Sequence, residues 1–132
     1  MLEAIRRVLE TDDGVLYALA FGSTARGDRH AASDVDLAIA LRPGTARDAQ
    51  ALGALASRLE SAGGRPVDLV LLDEAPPNVA YRIFRDGRVL VERDRQALTA
   101  RKARAILDYL DFKPIEERCT AGVLRAAATG GR

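Results

Sequence analysis

The chain has 132 residues, 48% of them hydrophobic and 30% charged, with a formal net charge of +1. That length fits one domain with an ordinary packed core, the composition excludes an intrinsically disordered chain, and a charge so near zero supplies no overall basic field for nucleic acid. A lone cysteine, Cys119, excludes an internal disulfide and a cysteine-based zinc site.

In chain order, MLEAIRRVLETDD carries neither the apolar core nor the cleavage site of a signal peptide. Leu2, Ile5, Val8 and Leu9 recur at helical spacing and predict a helix over 2–11, ended by Asp12-Asp13-Gly14. VLYALAF (15–21) is too short and too apolar for a surface helix and reads as a buried strand. It also falls far short of the roughly 20 apolar residues that span a bilayer, so a cytoplasmic protein is expected. DVDLAIAL (34–41) is a second strand, with Val35, Leu37, Ile39 and Leu41 on one face and Asp34, Asp36, Ala38 and Ala40 on the other.

After a turn at Pro43-Gly44, the residues Ala46, Ala49, Leu52, Leu55, Ala56 and Leu59 trace one face of a helix that Gly63-Gly64 stops. PVDLVLL (66–72) is a third strand, Pro77 and Gly87 frame a short helix over 78–86, and RVLVE (88–92) is a fourth strand placed at an edge. Residues 94 to about 127 read as helical with a break near Pro114, and 129–132 as a loose tail. The pattern predicts a single α/β (α+β) domain over 1–128, built on one small sheet of four strands with helices on one or both faces.

Three features carry chemistry. A strand that ends in Gly22-Ser23 and opens a helical turn leaves backbone N–H groups facing outward at the positive end of a helix dipole, which favours phosphate. No GxxxxGK[ST] loop occurs, so phosphate would have to be held this way. Asp34 and Asp36, two apart on a strand, project from one face. At 4 Å two such charges repel by roughly 4 kcal/mol in a medium of effective dielectric 20. The doublet must then be solvated, share a proton or hold a cation; beside it Ala38 and Ala40 are small and are expected to leave space above the strand. Asp68, inside the apolar PVDLVLL, calls for a partner. If its strand lies beside Asp34-Val35-Asp36, three hard oxygen donors converge, a set suited to Mg²⁺ or Mn²⁺ rather than zinc. A phosphate-binding turn next to a divalent carboxylate site is equipment for phosphoryl or nucleotidyl transfer.

FGSTARGDRHAASDVDLAI resembles the signature of the DNA polymerase beta-like nucleotidyltransferase superfamily: Gly-Ser, ten residues, Asp-x-Asp. The inner Ala-Arg-Gly and Ser33 before Asp34 are similar to its minimal nucleotidyltransferase (MNT) branch, as is VDLVLLDEAPP. YRIFRDGRVLVERD and YLDFKP resemble the antitoxin members paired with HEPN-domain toxins. The resemblance implies a nucleotidyltransferase-like fold, ATP as substrate, and Gly22 and Ser23 on its β- and γ-phosphates. It also implies Asp34, Asp36 and Asp68 as the catalytic acids holding two Mg²⁺ ions, with Asp68 helping to deprotonate the attacking hydroxyl. Arg26 would steady the triphosphate or brace its own loop against Asp28 or Asp34. The acceptor implied is a tyrosine hydroxyl of a HEPN ribonuclease toxin, silenced by AMP transfer. A binding-only antitoxin and an antibiotic-type enzyme acting on small hydroxylated molecules are the alternatives.

The remaining features read as structural. His30 falls in the segment between turn and strand and is expected to be exposed loop. Ser23 has no histidine placed to activate it. Arg82, Arg85, Arg88 and Arg93 read as a solvated face, and Tyr81, Ile83 and Phe84 as packing. An aromatic content of 5% without tryptophan disfavours single-strand nucleic-acid binding. Ile106, Leu107, Leu110, Ile115 and Leu124 carry more apolar surface than a small sheet needs, which suggests a partner surface on 94–127.

Overall fold

The fold was described from a computed structural model covering residues 1–22 and 34–128; of the last helix it describes the side chains up to Pro114 and that of Arg118. Helix α1 (Leu2–Thr11) leads into strand β1 (Val15–Phe21), and β2 (Val35–Leu41) follows. Helix α2 (Ala49–Gly63) crosses to β3 (Val67–Leu71), and a 3-10 turn at Leu72–Glu74 leads to α3 (Pro77–Asp86). Strand β4 (Arg88–Glu92) and a long helix α4 (Arg95–Ala128) complete the order.

The four strands form one mixed sheet in the order β3-β2-β1-β4. β1 runs antiparallel to β2 and β4, whereas β2 and β3 are parallel. A parallel pair needs a crossover, and α2 supplies it. That helix starts at Asp48, whose carboxylate accepts the Ala51 N–H at 2.8 Å, and stops at Gly64 in the left-handed region (φ +72°). The sequence places its start nearer Ala46, because alanine continues the apolar pattern while the cap that begins the helix is polar.

Alternation sorts the sheet's side chains into two cores. Val35, Leu37, Ile39 and Leu41 join Ile5 and Leu9 of α1 and Leu55 and Leu59 of α2 on one face. Tyr17, Leu19, Ala38 and Ala40 meet Ala80, Ile83 and Phe84 of α3 and Leu98 and Ala105 of α4 on the other. Helices therefore cover both faces, and β4 lies at an edge as its short length and flanking charges suggest.

Two expectations about packing and helix continuity change. Ala38 and Ala40 leave no space above β2: they are 0% and 4% exposed, in a core shared with Leu72 of the 3-10 turn and with α3 and α4. Helix α4 also runs through Pro114 without a break. The proline removes the N–H that would reach the Leu110 carbonyl, yet the 34-residue helix continues past it.

Arg93 departs from the solvated face read for its neighbours. Its guanidinium donates to the carbonyls of Leu9 (3.3 Å) and Glu10 and to Asp13 Oδ1 (3.4 Å), so a cation sits at the C-terminus of α1 and ties β4 to it. Arg82, Arg85 and Arg88 are exposed, with Arg85 paired to Asp86 at 2.8 Å and lying 5.6 Å above the Tyr81 ring. Tyr81 in turn stacks on Tyr109, with ring centroids 4.1 Å apart and planes 6° from parallel. Among the described residues, no helix is long and apolar enough to cross a membrane.

Candidate active site

At one end of the sheet β1 finishes while β2 and β3 begin, and the registers of these strands gather the acidic residues there. Phe21 pairs with Asp36, and Asp36 pairs with Asp68 across the parallel ladder. The Val35 N–H donates to the Pro66 carbonyl at 2.8 Å, which locks the start of β2 to the start of β3. Glu60 of α2 accepts the Val67 N–H at 2.9 Å and so holds the residue before Asp68. Asp34 is exposed immediately before β2, Asp36 is partly buried on the α3 side of the sheet, and Asp68 is exposed on β3.

Gly22 follows Phe21, with φ at +65°, in the region that side-chain-bearing residues rarely adopt. A Cβ placed on it would lie 2.6 Å from Asp36 Oδ2. The sequence reading assigns Gly22 to phosphate; the structure adds that the glycine lets the backbone pass against the Asp36 carboxylate. Neither that contact nor the reach of Glu60 to Val67 has a local sequence signal, since both depend on the pairing of strands far apart in the chain.

Burial pushes the Asp36 carboxyl above the usual aspartate range, and the charges of Asp68 and then Asp34 push it in the same direction. Both neighbouring acids thus bear on Asp36. Among the described residues, no three acidic, histidine or cysteine side chains are already gathered round a common point as a ligand shell. The donors are nonetheless carboxylate oxygens throughout, and their mutual repulsion is what a divalent cation relieves, so the set fits Mg²⁺ or Mn²⁺. Ser23, Arg26, His30 and Ser33 lie outside the described residues.

The polymerase beta nucleotidyltransferase family profile matches residues 3–96. No curated protein matches the chain. Among solved structures, a chain of a toxin–antitoxin complex with AMP-PNP superposes with a TM-score of 0.79 at 24% identity, covering 93% of this chain and 98% of that one. A chain from the complex of tri-AMPylated Shewanella oneidensis HEPN toxin with MNT antitoxin gives 0.72 at 20% identity, covering 94% and 99%. A minimal nucleotidyltransferase gives 0.56 at 29% identity over 66% of this chain and 86% of that one.

Proposed function

The chain belongs to the polymerase beta nucleotidyltransferase family, and on that premise we propose that it transfers AMP from ATP to a hydroxyl, a tyrosine of a HEPN-type toxin partner, and so neutralises it as an antitoxin. The observation that carries the reading is the register Phe21–Asp36–Asp68, which sets two acids side by side next to the Gly22 turn, with Asp34 just before β2. The likeness in fold to chains of AMP-PNP-bound and AMPylated toxin–antitoxin complexes supports the choice of nucleotide and partner.

Asp34, Asp36 and Asp68 would hold Mg²⁺, which when bound supplies positive charge to the triphosphate and to the entering and leaving oxygens. The backbone at Gly22 and the Ser23 hydroxyl hold the β- and γ-phosphates, and Arg26 adds charge to them. Asp68 accepts the proton of the attacking hydroxyl. The hydroxyl oxygen then bonds to the α-phosphorus as the bond to pyrophosphate breaks.

The test co-expresses the chain with the protein encoded beside it, adds ATP and Mg²⁺, and records the partner's intact mass. Gains in steps of AMP, absent with Asp36→Asn, are expected. Neutralisation without a mass change, persisting in Asp36→Asn, would indicate masking instead. AMP found only on small hydroxylated compounds would indicate an antibiotic-type enzyme.

A further inference from the structure

One carboxylate near the site takes no part in the proposed transfer. Glu60 lies in the last turn of α2, where the helix dipole disfavours an anion, so helix stability does not account for it. Its carbonyl accepts the Gly64 N–H at 2.8 Å, and its side chain accepts the Val67 N–H at 2.9 Å. A single residue thus ties both ends of the connection from α2 to β3. The Val67 N–H belongs to the same peptide unit as the Pro66 carbonyl, which accepts the Val35 N–H of β2 at 2.8 Å. In a trans peptide the C=O and N–H point opposite ways, so the Val67 N–H faces away from β2. Among the described residues β3 is an edge strand, and no further strand is there to accept that N–H. Glu60 stands in its place.

The peptide unit from Pro66 to Val67 is therefore clamped from both sides, by Val35 and by Glu60. Val35 lies between Asp34 and Asp36, and Val67 immediately precedes Asp68, so the clamp sits where the two acid-bearing strands start. The charges that oppose Asp36 come from Asp68 and then Asp34, and Glu60 is not among them. What the place requires is an acceptor oxygen for a main-chain N–H, which a glutamine would also supply. We infer that Glu60 is a positioning residue for the metal and nucleotide site: by clamping the Pro66–Val67 peptide it keeps Asp68 beside Asp36, where the two carboxylates can share a divalent cation. The inference rests on the proposed nucleotidyl transfer for what the placed acids do, and on the clamp for how they are placed.

The test compares wild type, Glu60→Ala and Glu60→Gln as full chains, well below the melting temperature that circular dichroism gives for each. It reads hydrogen exchange at the Val67 amide, affinity for Mn²⁺ alone by paramagnetic resonance, and AMP transfer to the protein encoded beside the chain with ATP and Mg²⁺. Glu60→Ala is expected to speed exchange at Val67, to weaken Mn²⁺ binding and to lower kcat, the last two by about tenfold, with KM for ATP little changed. Glu60→Gln keeps the acceptor oxygen and should return all three to near wild type. A lower melting temperature in Glu60→Ala with Mn²⁺ affinity and kcat at wild-type values overturns the inference. So does a Glu60→Gln variant as impaired as Glu60→Ala. AMP transfer by wild type and by Glu60→Ala alike, with equal Mn²⁺ affinity, removes the clamp's role and leaves the transfer standing. Weaker Mn²⁺ binding in Glu60→Ala, rescued in Glu60→Gln, with no AMP added by wild type, does the reverse.

Discussion

Asp36 is held where burial and two neighbouring acids all oppose its charge. Folding raises its affinity for a proton, so the folded chain binds more protons than the unfolded one between the ordinary aspartate value of about 4 and the raised value. Stability therefore falls as pH rises through that window. Asp36→Asn is expected to raise the melting temperature of the metal-free protein while abolishing AMP transfer. Mg²⁺ should raise the melting temperature of wild type and leave the variant unmoved, both read by calorimetric scans. At Gly22, alanine adds a methyl against Asp36 Oδ2 and forces a positive φ on a side-chain-bearing residue. Gly22→Ala should cost about 1–3 kcal/mol in denaturant titration and lower kcat far more than a surface alanine does. Tyr17 behaves in the same sense, in a higher pH range. Burial first, then Asp73, pushes its phenol up to about 12, against the pull of Arg101. The folded state holds the Tyr17 proton, so its contribution is intact below the ordinary phenol value near 10 and is lost as pH climbs to about 12. Of the three tyrosines, one should ionise late in an ultraviolet titration, as the chain unfolds.

Among the elements, α2 matters most to the site, because it is the crossover between two acid-bearing strands and lends Glu60 to the second. Its Asp48 cap is exposed and makes one bond to the Ala51 N–H. Asp48→Ala should cost about 1 kcal/mol, measurable by urea titration, with the in-line chemistry untouched. The strands were legible because each is an apolar run bounded by Gly, Pro or charge, and VLYALAF and RVLVE coincide with β1 and β4. The acids at the start of β2 and within β3 were legible for a related reason: charge inside such a run calls for a physical cause. Their pairing was only conditional, since strand order is a long-range choice that no local pattern encodes. The room expected above Ala38 and Ala40 failed on the same ground, because segments distant in sequence, Leu72 and the two helices after it, close that core. Proline at 114 predicts a break, yet the helix continues past it.

For the molecule as a whole, the acidic end of the sheet and the outer face of α4 impose different requirements. The first needs strands held in register by two cores; the second needs a helix that leaves those cores with its apolar side uncovered. Leu107 and Leu110, 61% and 58% exposed, lie on that side. The opposed charge on Asp36 then bears on the history of this chain as well as its mechanism. A lineage that only masked its partner would have no use for that opposed charge. Retaining Asp36 keeps a carboxylate whose charge burial and its acidic neighbours oppose, as the proposed transfer requires.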